Sequence, residues 1–362
     1  MSETAHHDHD RQSIRLTSGD AVITAIPTLI GFTPADSLVI VTVAGRQVGL
    51  TLRVDLPPAG QQTRELAAQA AEVIDRHQPG ADLAAVVVIV GTDTRPDLVG
   101  ALTEQLAAVG VAVPQALHTP AIAAGMPWRC LCGCGHSGVL DDPATSVLAL
   151  TTAVATGQVS YGSRAELAAA LDSRIDPDTA RRRGEQIAAL HQSAARHQIT
   201  AGRRGAPDDS GVADHRGGPD HSGGEETDAV VQGAILEFGA RVLGGGLDQL
   251  DEEVIVGVGA ALLTAAHRDA LVGWTAENTE PGVMRAGWLW MVQQLTGEAR
   301  AYAATLFALG ALLEGDGAAA NVALELAEQV HPGLSLTRLA TDVAGCGIEP
   351  AVLRRMLCDA AR

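Results

Sequence analysis

The sequence predicts an α/β N-terminal domain followed by an all-α helical array. Three observations carry this. β-rich runs alternate with amphipathic stretches up to about residue 118, strand signals all but cease after residue 141, and later apolar positions recur at helical spacing. The expected sheet is mixed, with an initial hairpin and then parallel strands.

The elements follow in order. Thr17 and Ser18 offer hydroxyl caps and Asp20 an early acid, after which Val22, Ile23, Ile26, Leu29 and Ile30 recur at helical spacing. Pro27 removes a backbone donor inside that pattern, so this helix should stop or bend near it. Residues 37–44 and 48–56 are β-rich, and the link 45–47 is short enough for a hairpin. A helix is expected over 62–77, stopped by Pro79 and Gly80. Residues 84–90 are apolar on both faces, as a central strand should be. Residues 96–109 read as helix and 111–118 as strand.

Beyond residue 142, segments 145–156, 164–171 and 178–198 read as helices. Residues 202–228 are Gly, Asp and His with almost nothing apolar, a composition that cannot offset the entropy of ordering, so a disordered insert is expected there. Helices are then expected at 229–243, 249–266, 283–295, 299–313, 317–330, 335–344 and 350–361. The predicted organisation is a flexible leader (1–13), an α/β domain (14–141), a helical connection (142–201), the insert and an all-α domain (229–362).

Within that last domain, residues 301–332 look like one tetratricopeptide-type hairpin. Counting back from Pro332, small residues fall at Ala327, Ala320 and Ala308, Leu324 stands where the pattern wants Phe, and Gly315 and Asp316 fall at the turn. Ala304 and Ala311 replace the large aromatic positions, and no second copy follows at the repeat period. A lone hairpin of this kind must lean on non-repeat helices.

Composition excludes several function classes. A formal net charge of −18 opposes sequence-independent binding to a phosphate backbone, so no nucleic-acid partner is expected. The apolar runs are too short for a membrane span, and the polar start lacks the apolar core of a signal peptide, so a cytoplasmic location is expected. Five cysteines are too few for a disulfide framework in a chain of 362 residues. All 25 basic residues are arginine, which excludes a phosphate loop built on lysine, and neither a G-x-S-x-G elbow nor an H-E-x-x-H helix occurs. No cofactor is expected. With 2% aromatic residues, the core must be aliphatic and small.

Several strings carry a resemblance. Leu16-Thr17-Ser18, Ile26-Pro27, Gly31-Phe32-Thr33-Pro34-Ala35-Asp36-Ser37-Leu38-Val39 and Arg53-Val54-Asp55-Leu56-Pro57 come first, and the 31–39 string is the most specific. Gly162-Ser163-Arg164-Ala165-Glu166-Leu167, Arg268-Asp269-Ala270 and Gly315-Asp316-Gly317-Ala318 fit as well. The chain resembles, over most of its length, an actinobacterial family labelled only as a domain of unknown function. That resemblance implies no activity, cofactor or catalytic residue. Such proteins often carry adjacent cysteines followed by proline, whereas this chain has Cys130-Leu131-Cys132-Gly133-Cys134-Gly135-His136.

Two places carry candidate chemistry. Cys130, Cys132, Cys134 and His136 could bind zinc in principle, but read as a strand they would point one way about 6.5–7 Å apart, so no metal is expected there. His6, His7 and His9 read as part of the leader. The second place is one edge of the sheet. The antiparallel hairpin puts Asp36 and Ser37 beside Arg53 and Asp55, and right-handed crossovers should deliver Asp93, Arg95 and His118 to the same edge. These seven residues form the candidate ligand cleft.

Two functions from different classes follow. With no complete catalytic set visible, the first is a non-catalytic scaffold or adaptor that binds a protein partner through the helical half. The alternative is a small-molecule sensor or enzyme using the polar cleft.

Overall fold

The computed structural model describes residues 18–360 except 46, 59, 61, 79–82, 157–159, 203–221 and 281, and gives only the backbone for 155–156, 195–202 and 222–226. The chain divides into two compact units, Met1–Arg164 and Ala165–Arg362.

The first unit contains α1 (Gly19–Ile30), β1 (Ser37–Ala44), β2 (Gln47–Asp55), α2 (Thr63–His77), β3 (Leu83–Val90), α3 (Pro96–Ala108), β4 (Ala112–Thr119), β5 (Pro127–Cys130), β6 (Ser137–Val139) and α4 (Val147–Thr156). Its six strands form one mixed sheet in the order β2-β1-β3-β4-β5-β6, with β3 and β4 as the parallel pair. Alternation of side chains divides the sheet's apolar residues between two faces. Leu38, Ile40, Val87 and Ile89 meet Ala67, Ala70 and Ile74 of α2 and Leu98, Leu102 and Leu106 of α3 on one face. On the other, the start of α1 lies so close that a Cβ on Gly19 would come within 2.6 Å of the Trp128 ring and 3.3 Å of Leu117.

Two features of this unit differ from expectation. α1 runs through Pro27 and ends only at Gly31, whose φ of 80° is the left-handed cap glycine tolerates. Burial of Ile26, Ile30 and Phe32 holds this last turn against the missing hydrogen bond. Strands β5 and β6 were not foreseen because they are four and three residues long, too short to show a period.

The second unit is helical: α5 (Arg164–Ala169), α6 (Pro177–Gly202), α7 (Ser222–Gly244), α8 (Glu252–Leu263), α9 (Ala265–Glu277), α10 (Val283–Gln294), α11 (Gly297–Leu313), α12 (Gly317–Val330), α13 (Ser335–Cys346) and α14 (Pro350–Ala360). The helices expected at 299–313 and 317–330 are α11 and α12, which pack against each other. α11 is enclosed by α8, α9, α10, α12, α13 and α14, and almost every one of its side chains is buried. Close approach comes from small residues: a Cβ on Gly257 would lie 2.4 Å from that of Ala234, and one on Gly259 2.5 Å from Ile187. Phe238, Trp274 and Trp288 make an aromatic cluster with centroids 5.3–6.5 Å apart, and the Trp288 indole donates to Thr275 Oγ1 at 2.9 Å.

The helix expected at 249–266 ends at Leu263. The chain turns by 103° at Thr264 (φ −94°, ψ 122°) into α9, which was not foreseen. No single described helix is long and apolar enough to cross a membrane; α8 and α9 pass only as that bent pair. Most of the segment expected to be disordered, 203–221, lies outside the described residues, as does the leader. Its ends differ from expectation, because α6 reaches Gly202 and α7 already begins at Ser222.

Candidate functional site

The sheet edge assembles as the strand logic requires. Ser37 pairs with Asp55 across β1 and β2 and with Val90 across β1 and β3, and Val90 in turn pairs with Thr119 of β4. Backbone bonds lace the turns together: Leu56 N–H donates to Asp36 O at 2.9 Å and Gly91 N–H to Thr119 O at 3.0 Å. Gly91, at φ 149°, leaves room for Asp36, whose Oδ1 would lie 3.1 Å from a Cβ there.

The side chains at this edge are occupied by one another. Arg53 donates from Nε to Ser37 Oγ at 3.0 Å, pairs with the exposed Asp55 and lies 5.6 Å from the Phe32 ring centre. Ser37 is fully buried and its hydroxyl donates to Ala35 O at 2.6 Å. A ring nitrogen of buried His118 is 2.9 Å from Gly91 O. Asp93 is exposed, and its Oδ1 accepts the Arg95 N–H at 3.0 Å.

Arg95 departs furthest from the expected cleft. Its own φ of 46° places it before the first turn of α3, and its side chain is only 4% exposed. The guanidinium meets both Asp97 carboxylate oxygens at 3.2 Å, Pro57 O at 2.5 Å and Thr63 Oγ1 at 3.4 Å. It therefore ties the β2–α2 connection to the start of α3 and presents no free donor fork to solvent. The Arg95 hydrogen bond holds the Asp97 carboxyl at about 2, below its usual value, with Thr63 adding to the effect. Of the expected cleft, Asp36, Asp55 and Asp93 reach water, while Ser37, Arg95 and His118 are buried.

The thiol loop differs from expectation in geometry. Cys130 ends β5, and its N–H donates to His136 O at 2.8 Å, closing a turn of five residues between them. Leu131 N–H donates to Ala116 O at 2.6 Å and its side chain packs on the sheet core, which anchors the turn. Gly133 and Gly135 both have positive φ, 82° and 78°, so the chain is no strand here and alternate residues converge. The Cys130, Cys132 and Cys134 sulfurs all lie within 4.8 Å of one another, the first two 2.9 Å apart, and Cys134 Sγ is 3.3 Å from His136 Nδ1. Burial and the neighbouring Cys132 raise the Cys130 thiol to about 11, whereas hydrogen bonds from Cys130 and then Cys134 lower Cys132 to about 7. The alternation of glycine with cysteine was the signal that a strand-based reading passed over.

The third feature is one face of α7. Val231, Ala234, Phe238 and Val242 are buried against the bundle, yet the opposite face is apolar too. Ala229, Gly233, Leu236, Ala240 and Leu243 are all exposed and recur at intervals of four, three, four and three residues. That spacing is a heptad seam. Leu236 is 75% and Leu243 57% exposed, and nothing lies within 4 Å of where a Gly233 Cβ would be.

A family profile described as "Domain of unknown function (DUF4192)" matches residues 20–351. No curated protein and no solved structure matches the chain.

Proposed function

The chain belongs to the DUF4192 family, a domain of unknown function, and from that premise we propose that it is a non-catalytic adaptor whose α7 seam docks an amphipathic helix of a partner protein. The observation that carries this reading is the uncharged stripe Ala229-Gly233-Leu236-Ala240-Leu243 facing water at coiled-coil spacing. A helix apolar on both sides normally belongs inside a structure. Small residues at Ala229, Gly233 and Ala240 let a second helix approach closely, and Leu236 and Leu243 supply knobs. The sheet edge adds support by contrast, since its arginines are engaged by neighbouring carboxylates and carbonyls and offer no free catalytic set. The five free cysteines suit a reducing, cytoplasmic setting for such a partner.

A photo-crosslinking residue placed at Leu236 in the full chain tests this in cells of the source organism. The expected result is one discrete heteromeric product, lost on Leu243→Glu and absent when the crosslinker stands at the exposed Glu72 instead. A product of twice the chain's own mass would make the seam a self-association face and overturn the adaptor reading, as would no product at all.

A further inference from the structure

We propose that the β5–β6 turn is a zinc site in which Cys130, Cys132 and Cys134 bind as thiolates and His136 Nδ1 completes a tetrahedron. Zinc–sulfur bonds of about 2.3 Å at tetrahedral angles put sulfurs roughly 3.8 Å apart, and zinc–nitrogen bonds near 2.0–2.1 Å put the ring nitrogen about 3.6 Å from a sulfur. The three sulfurs already lie within 4.8 Å of one another, while His136 Nδ1 stands 3.3 Å from Cys134 Sγ but outside the 4.8 Å cluster of the three sulfurs, so its ring swings toward the other two when the ion binds. The shortest separation, 2.9 Å between Cys130 and Cys132, opens by about 0.9 Å through side-chain rotation when a metal enters.

The ligand set fits zinc for reasons of chemistry as well as distance. Thiolates and imidazole select soft and borderline cations and disfavour magnesium or calcium, which want oxygen. Four protein ligands leave no open position for substrate, so the site is a structural one. The balance is that the zinc dication, three thiols and one neutral imidazole give a complex of charge −1 and three protons released to solvent. The backbone needed for this exists without the ion: the bond from Cys130 N–H to His136 O closes the turn, and Leu131 fixes it to the sheet. Binding then fastens two strands of four and three residues that pairing alone holds weakly.

The test uses the reduced, full-length chain stripped of metal and titrated first with zinc and then with cobalt as its spectroscopic stand-in. The expected results are a stoichiometry of one ion per chain and the visible and thiolate charge-transfer bands of tetrahedral cobalt, both displaced by zinc. Cys132→Ser weakens zinc binding by roughly 100-fold, while Cys346→Ser and Cys358→Ser leave it unchanged. Far-UV circular dichroism of each variant separates lost binding from lost fold, and the parent's cobalt spectrum stands without any variant. Failure of the reduced parent to take up zinc, or uptake that survives Cys132→Ser unaltered, overturns the proposal. Recovery of the chain with a Cys130–Cys132 disulfide that re-forms in the presence of zinc also overturns it, since the ion would then have failed to protect the thiolates.

Discussion

The sheet edge and the thiol loop belong to the same unit, both lie where strands end, and both gather polar side chains. They differ in whether those groups are already satisfied. At the edge each cation has its acceptors: Arg95 meets a carboxylate, a carbonyl and a hydroxyl, and Arg53 meets Ser37 and Asp55. In the loop three thiols and an imidazole have mainly one another, and two of the thiols are exposed. Proximity of chemically interesting residues therefore does not make a site; unspent valence does. A buried guanidinium that is fully paired is scaffold, and its removal costs stability.

The largest expected effect is at Arg95. Arg95→Ala strips the Asp97 carboxylate, Pro57 O and Thr63 Oγ1 of a buried partner and should cost about 3 kcal/mol, measured by urea unfolding of the full chain. A cost under about 0.5 kcal/mol, the range of ordinary surface changes, would place Arg95 outside the scaffold. Arg53→Ala comes next, at about 1 kcal/mol, because Arg53 has a water-facing partner in Asp55 and keeps only the Ser37 and Phe32 contacts inside. If its cost equalled that of Arg95, the graded picture of the edge would fail.

Acid sharpens the same contrast. The carboxyl of Asp97 is held at about 2 in the folded protein against 3.8 ordinarily, so the unfolded chain binds its proton first as pH falls. Its stabilisation is complete above about pH 4 and is lost as pH falls through the window from 3.8 to about 2. Asp97→Asn should therefore flatten the acid limb of the stability curve in that window. It should cost more than an exposed pair at neutral pH, because Arg95, 4% exposed, then keeps its buried charge without a carboxylate partner. An unchanged acid limb in the variant would remove Asp97 from the account.

How much of this was legible in the sequence depends on the length scale. The register that brings Asp36, Ser37, Asp55 and Val90 to one edge follows from a hairpin and a crossover that returns β3 in the same direction as β2, rules that act over whole elements. The inward turn of Arg95 was not legible, because a left-handed backbone at a non-glycine residue is fixed by the bonds around it and not by local propensity. The thiol loop was misjudged by treating Cys-x-Cys-x-Cys as extended, although Gly133 and Gly135 permit a turn. The apolar periodicity of α7 was visible, but which of its two apolar faces is covered depends on where α8 and α10 pack. The bend at Thr264 was hidden because α8 and α9 share one run of helix-forming residues.

The measurement that tests the contrast most directly is thermal unfolding of Arg95→Ala and Cys132→Ser side by side, in the presence of a zinc chelator and reductant. Without metal the exposed Cys132 has no structural task, so its variant should melt with the parent. Arg95→Ala should melt roughly 6–12 °C lower, as about 3 kcal/mol implies for a unit of this size. The reverse order, with the cysteine variant destabilised in chelator and the arginine variant unaffected, would mean that the loop is scaffold and the edge is the site.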